Sequence, residues 1–326
     1  MRRTRAIAVV GVLIAAAAAL AAVSYARTRP SELDALATRV TVLHVAQRLD
    51  EALPLAERAV VLARAQDGET GPRYAAALTA LGTLHRDAWR LDRAEPLLAT
   101  ALAVTERHHG ADSPETADAL TTLALLHLQQ KRWDDAERLF LRIRAVVGRV
   151  PPEERPRLAA PAARGLADVY AASGRVDAAA ELYHEAIAAI DAEWGPDNAI
   201  VVYVLQRLVD LHAANGRPEE AERLARRRLA ISEKADVDGR SPLGVALSLV
   251  HLVTLDSVRA RSGEAEPLAE RAVALAERQA PAPLRDRVLA DALDALAGLR
   301  DDAGRTTEAA ALKKRAAALR ERTARR

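Results

Sequence analysis

The amino-acid sequence predicts an all-α fold, built as a row of about seven helix pairs stacked one on the next. Three observations carry this reading. An alanine recurs as Ala52, Ala94, Ala136, Ala179, Ala221, Ala265 and Ala309, in steps of 42, 42, 43, 42, 44 and 44 residues, and a period of that size marks a solenoid of supersecondary units. Around each alanine, apolar and ring-bearing residues return at helical offsets. Half of the 326 residues are apolar but only 3% are aromatic, so the core must consist of Leu, Val and Ala at close helix contacts, and no alternating strand-like run interrupts the pattern.

The offsets define the two helices of a unit. Thirteen places before the anchor alanine stand Leu81, Leu123, Leu166, Leu208, Leu252 and Leu296, followed by Gly82, Ala124, Ala167 and Ala297, with Val209 and Val253 as bulkier exceptions. Nine places before it come His85, His127, Tyr170 and His212, then Asp256 and Arg300, where the pattern decays. Four places after it lie Leu98, Phe140 and Tyr183, and seven after it Ala59, Ala101, Ala186, Ala272 and Ala316. Residues at i, i+1 and i+4 share one face of a first helix, and residues at i, i+4 and i+7 share one face of a second. The two faces are expected to meet.

This set of positions resembles the tetratricopeptide repeat, and the period of about 42 resembles its longer, kinesin-light-chain-like variety. The likeness covers most of residues 31–320, with units at about 31–69, 70–110, 111–150, 151–195, 196–239, 240–280 and 281–326. Two departures fall in the terminal units, where Arg39 replaces the first-helix Leu and Lys313 the second-helix ring. More polar end units are what a solenoid needs. The resemblance implies a right-handed superhelical solenoid whose first helices line a concave groove that takes extended peptides or partner helices.

Residues 1–30 precede the units as a signal peptide or transmembrane anchor. Arg2, Arg3 and Arg5 lead an uncharged apolar run from Ala6 to Val23, eighteen residues long, at the short edge of a bilayer span and longer than an ordinary signal core. Small residues at Ser24 and Ala26 favour cleavage near Ala26, and the leading arginines favour an inside amino terminus. Either reading places the repeats on the extracytoplasmic side, membrane-anchored or secreted. Helix starts are expected at Ser113-Pro114-Glu115 and Ser241-Pro242, with Gly71-Pro72 and Gly195-Pro196-Asp197 in similar roles. Gly174-Arg175, Gly216-Arg217 and Gly304-Arg305 mark the tight turn inside a unit. The proline-rich stretch 150–161 is the longest interruption and reads as a loop between units.

Charge and composition exclude several functions. Cysteine is absent, which removes disulfides, thiol nucleophiles, Cys-ligated zinc and a lipoprotein anchor. The formal net charge of +2 becomes −1 once the three leading arginines are cleaved, so no nucleic-acid partner is expected, and the basic stretch from Lys313 to Arg326 reads as the solvated cap of a last helix. There is no phosphate loop, HExxH or GxSxG. His85, His127 and His212 occupy a packing position, and Asp134-Asp135, Glu219-Glu220 and Asp301-Asp302 read as turn carboxylates before second helices. No enzyme, metal site or cofactor is therefore expected.

What remains is the groove. Residues 18, 15, 11 and 8 places before the anchor face it under the family's geometry: Thr79, Thr83, Arg86, Asp118, Thr121, Arg164, Asp168, Tyr203, Gln206 and Asp210. Their mixed polarity suits recognition of a peptide by hydrogen bonds and charge. Asn occurs only at Asn198 and Asn215, so neither the family's Asn-based carboxylate clamp nor an Asn ladder is present, and the likeness carries over a mode of binding without its ligand. The expected function is a non-enzymatic scaffold or adaptor for protein partners, with a groove-binding regulatory or sensor module for a peptide or small ligand as the alternative. Partner identity and self-association stay open.

Overall fold

The computed structural model describes residues 31–236, 242–258, 262–280 and 282–324. Every regular element among them is a helix: α1 Glu32–Val45, α2 Leu49–Asp67, α3 Pro72–Asp87, α4 Leu91–His109, α5 Pro114–Gln129, α6 Trp133–Val147, α7 Arg155–Ala172, α8 Val176–Trp194, α9 Val201–Ala214, α10 Pro218–Ala235, α11 Pro242–Val258, α12 Ser262–Glu277, α13 Pro283–Asp302 and α14 Thr306–Ala324. In sequence they follow one another as seven helix–turn–helix pairs, of which the third, α5 and α6, is divided between the two units described below. The apolar run 6–23 lies outside the described residues, as does Ser241. Among the described residues no helix is long and apolar enough to cross a membrane.

The chain divides into two compact units, one ending at Gln130 and the other beginning at Lys131. The break falls between α5 and α6, not at the stretch 150–161. There α7 has already begun at Arg155, with Pro156 in its first turn and Pro161 inside the helix; a first-turn proline forfeits no helical hydrogen bond. Within each unit, helices pack on their sequence neighbours.

Each pair carries its anchor alanine in the first turn of the second helix: Ala52 on α2, Ala94 on α4, Ala136 on α6, Ala179 on α8, Ala221 on α10, Ala265 on α12 and Ala309 on α14. All seven are 0% exposed, so these residues are packing positions and none of them faces a ligand. The leucines thirteen places earlier are buried too, while Arg39, which replaces the leucine in the first pair, is exposed. The small residues mark close approaches. A Cβ added to Gly82 on α3 would lie 2.6 Å from Leu98 Cδ2 on α4, and one added to Gly165 on α7 would lie 2.1 Å from Cζ of Phe140 on α6. Phe140 itself is 0% exposed, so its ring has nowhere to retreat.

Six of the seven turns lie among the described residues, and each has a left-handed residue five places before the anchor. Gly174, Gly216 and Gly304 supply it at φ of 74°, 70° and 76°, and Gln47, Trp89 and Lys131 adopt it at 57°, 57° and 59°, a conformation that costs a side-chain-bearing residue about 1–2 kcal/mol. An arginine follows each of these directly, and four of them reach back to the preceding pair: Arg90 to Asp50 at 3.8 Å, Arg175 to Glu137 at 3.0 Å, Arg217 to Asp177 at 2.7 Å, and Arg305 to Glu266. A second row joins the even-numbered helices of the second unit, Arg227 to Asp191 at 2.8 Å, Arg271 to Glu233 at 2.6 Å, and Arg315 to Glu277.

Three local expectations need correction. Gly195-Pro196-Asp197 does not start a helix: Gly195 closes α8 at φ 87°, and α9 begins at Val201, after Asn198 Oδ1 accepts the Ile200 N–H at 2.9 Å. A proline that follows a left-handed glycine cannot continue the helix, and the turn that results delays the next one. Asp301 and Asp302 end α13 instead of leading α14. The cations of α14 are also less solvated than a free cap: Lys313 pairs with Asp301, Arg320 with Asp291 and Asp294, and Arg322 with Asp286. Asp286 is buried, and its hydrogen bond from Arg322 holds its carboxyl below the usual range.

Two helix glycines give opposite predictions. Nothing lies within 4 Å of a Cβ built on Gly298, so Gly298→Ala is expected to stabilise α13 by about 0.5–1 kcal/mol. Gly165→Ala drives into Phe140 and is expected to cost about 1–3 kcal/mol despite the same gain in propensity. Thermal melts of the two variants check both signs.

Candidate binding groove

Two cavities lie side by side on the first unit. One, of about 330 Å³, is walled by α1, α2 and α3 through Leu33, Val40, Ala56 and Ala77, with Asp34, Thr41 and Arg73 as polar members. The other, of about 420 Å³, lies among α3, α4 and α5 and includes Thr79, His109, Glu115, Asp118 and Thr122. Both contain Ala76 and Ala80, so they form one continuous stretch across the first helices of three successive pairs. Of the candidates on this unit, Thr79 and Asp118 line it, and the anchors Ala52 and Ala94 do not. Thr79 donates its hydroxyl to the Ala75 carbonyl at 3.0 Å and Thr121 to that of Ala117 at 2.8 Å, which leaves each oxygen free to accept. Thr83 is half-buried on α3. Arg86 is drawn aside onto Asp87, Nε to Oδ1 at 3.0 Å, and Asp87 also meets His44 Nε2 at 2.7 Å.

On the second unit the other five candidates gather around two carboxylates at equivalent repeat positions. Asp168 Oδ1 accepts from the Tyr183 hydroxyl at 2.6 Å and from Arg207 Nε at 3.0 Å, while Oδ2 faces Arg164 Nη1 at 3.5 Å. Burial, then the Asp168 charge, push the Tyr183 phenol far up, so it stays a donor. Arg164 Cζ lies 5.6 Å from the ring centroid of Tyr203, which is 56% exposed. One pair further on, Gln206 Nε2 donates to Asp210 Oδ1 at 2.6 Å. A further cavity of about 430 Å³, among Leu141, Arg144, Tyr170 and Glu181, includes none of the candidates.

Sequence reasoning missed two residues here. Arg207 lies fourteen places before its anchor, an offset not assigned to the groove. Arg228 lies seven places after Ala221, where the other pairs carry Ala59, Ala101, Ile143, Ala186, Ala272 and Ala316, all buried. The break in that alanine pattern was the available signal. Arg228 is 5% exposed and donates Nη1 to His251 Nδ1 at 2.7 Å. His251 must be neutral to accept that bond, in keeping with a pKa pushed down to about 4 by burial and then by Arg228. Among the described residues no group of three or more His, Asp or Glu is placed to hold a metal ion.

A sequence profile of the tetratricopeptide repeat matches residues 31–107, 85–147 and 158–234, more than half of the chain. The chain belongs to the tetratricopeptide repeat family. Solved structures agree on the tetratricopeptide fold. The nearly identical TPR-like repeats of a putative kinesin light chain from Podosopora anserina share 21% identity at a TM-score of 0.54, covering 64% of this chain and 99% of that one. The apo quorum sensor NprR from B. thuringiensis shares 13% at 0.64, covering 88% and 76%. The Rap conjugation gene regulator of the plasmid pLS20, in complex with the Phr* peptide, shares 14% at 0.55, covering 88% and 73%. No curated protein sequence matches the chain.

The tetratricopeptide ring position also sets a pH response. His85 and His212 stand where Tyr170 stands in the fourth pair, and both are buried with Nδ1 unpartnered. Burial first, then Arg90 for one and Arg217 for the other, lower their pKa values, and His184 and His251 are lowered likewise. Below about pH 6.5 the unfolded chain therefore binds protons that the folded chain refuses, so stability is complete above that pH and is lost as pH falls through it. Melting temperatures at about pH 7.5 and about pH 5 are expected to show this loss, and His212→Phe to reduce it. An unchanged pH slope in the variant would contradict the assignment.

Proposed function

We propose that this tetratricopeptide protein is a non-enzymatic binding module that takes a protein or peptide partner along the faces of its first helices, acting as a scaffold or adaptor. The observation that carries this reading is the continuous groove over α1, α3 and α5, which shares one lining and presents hydroxyls and carboxylates above an alanine floor. A solenoid stabilised by contacts between neighbouring pairs leaves such a face unspent. The regulatory or sensor reading draws support from two fold neighbours, one described as a quorum sensor and one as a regulator in complex with a peptide. Both readings use the same groove and differ in the consequence of binding.

The test is selection from a library of random extended peptides, with affinities then measured by titration calorimetry. Selected peptides are expected to lose affinity for Thr79→Arg and to bind Trp89→Ala unchanged, since Trp89 lies on a turn and is 71% exposed. Equal affinity for both variants would place binding elsewhere. Tightening of the fold by the peptide in thermal melts is expected in either case.

The module is further proposed to work on the extracytoplasmic side, anchored by or released from the segment 1–30. The support is the arginine-led apolar run of the sequence, which lies outside the described residues. Protease added to spheroplasts is expected to digest a C-terminally tagged chain. Full protection of the tag until the cells are lysed would overturn this topology.

A further inference from the structure

Among the described residues no helix precedes α1, yet one of its faces keeps the residue types of a covered interface. Val42 stands ten places before its anchor Ala52, and the residues ten places before the other six anchors are Leu84, Leu126, Val169, Leu211, Leu255 and Leu299. All six are buried, whereas Val42 is 60% exposed. Ala35, seventeen places before its anchor, is exposed as well, and its equivalents Ala77, Ala119, Ala162, Val204, Ser248 and Ala292 are all buried. The cover comes from the preceding pair: Leu84 shares a core with Ala52 and Ala56 of α2, Ala77 with Ala59 and Ala63 of α2, and Leu299 with Ala265 and Ala269 of α12. A helix with alanine at i, i+4, i+7 and i+11, all on one side, is therefore what lies over these positions elsewhere in the chain. A terminal face in a repeat array is normally polar. The last helix, α14, obeys that rule and exposes no large apolar side chain, while α1 shows Val45, 78% exposed, beside Val42.

Arg39 shares this side of α1 with Ala35 and Val42, at i, i+4 and i+7. It is exposed and makes no hydrogen bond or ion pair among the described residues. This cation selects among occupants. A second copy meeting the face across a twofold axis would set Arg39 against Arg39. The α14 helix of a second copy holds five basic residues and two acidic ones, and residues 1–30 contain five arginines and no acid. Each of these brings like charge onto Arg39, and a purely apolar cover would bury the guanidinium unpaired. A helix from another protein, apolar on one side and carrying an acid, meets both demands.

We propose that the face of α1 bearing Ala35, Arg39, Val42 and Val45 is a second docking surface, which takes an alanine-lined helix of a partner protein with an Asp or Glu side chain opposite Arg39. The apolar positions supply the contact that a preceding pair supplies elsewhere, and the guanidinium fixes the register of the partner helix by pairing with its carboxylate. The surface is distinct from the groove, since none of its four residues lines either cavity of the first unit. It takes a folded helix where the groove takes an extended peptide.

The chain has no cysteine, so Val42→Cys in the full chain gives a single thiol on this face. Maleimide is expected to label it at the rate of a free thiol at every protein concentration. Slow labelling at all dilutions would mean that the chain covers the face itself, and slowing as the protein is concentrated that a second copy does; either result overturns the proposal. Helices are then selected on the full chain from a library with alanine fixed at i, i+4, i+7 and i+11, with Val42→Glu as the counter-selection. The selected helices are expected to share an acid at one position, to slow the labelling of Val42→Cys, and to bind Arg39→Glu at least about tenfold more weakly. Arg39→Leu, which restores the residue the other pairs carry, is expected to bind the Glu and Gln forms of a selected helix equally. Thr79→Arg, in the groove, is expected to leave helix binding unchanged. Failure to recover a helix that distinguishes the chain from Val42→Glu, selected helices with no preference for an acid, or loss of binding in Thr79→Arg would overturn the proposal. Val42→Glu and Arg39→Glu are expected to keep the melting temperature, and a clear drop in either would make these positions structural and overturn it as well.

Discussion

The contact on which this fold depends is between an alanine methyl group on a second helix and the small or leucine side chains of the first helix beside it. With all seven anchors, from Ala52 to Ala309, wholly buried, helices that are neighbours within a unit can approach closely, and leucine rather than an aromatic ring fills most of the space around the crossing. Where a ring does enter, as Phe140 does, the residue it meets has shrunk to Gly165. Each such contact buries little on its own. Stability in a repeat array accumulates from many neighbour contacts, which is why the pattern persists at a fixed offset along the chain.

Charge serves the same end at the surface. Arg90, Arg175, Arg217 and Arg305, each directly after a left-handed turn residue, meet an acid of the preceding pair. Exposed pairs contribute about 0–1 kcal/mol each, so the value of the rows lies in their repetition. At the end of the chain the scheme deepens: buried Asp286 holds Arg285 and Arg322 together, and Arg300, in a ring position, is bound by Glu266, Glu270 and Glu308 instead. The decay of the aromatic pattern in the last pair thus has a physical substitute.

The anchors, the leucines and the histidines were legible in the sequence because each recurs at one offset and offsets translate directly into helix faces. Ala136 and Ala179 show this most plainly, since the proline-rich stretch between them leaves the step at 43 residues and both methyl groups reach the core. Trp89 was not legible as a left-handed residue, since nothing in its side chain marks the conformation that Gly174 announces. The late start of α9 was hidden by a Gly-Pro that resembles a helix start in sequence and acts as a stop in space. On the second unit Arg164, Asp168, Gln206 and Asp210 lie on first helices as their offsets require, but only side-chain reach between pairs showed Asp168 receiving Arg207. Arg228 lies on a second helix, the kind of helix assigned to the core, and long side chains can leave the face their Cα occupies. The break between Gln130 and Lys131 has no compositional mark at all.

The division of labour that results is clear: second helices and their alanines hold the array together, and first helices present the polar face. Hydrogen exchange with and without a library-selected peptide measures this directly. Slowing is predicted in α1, α3 and α5, with α8 and α12 unchanged. Slowing confined to those second helices, with the first helices unaffected, would contradict the assignment of binding to the groove.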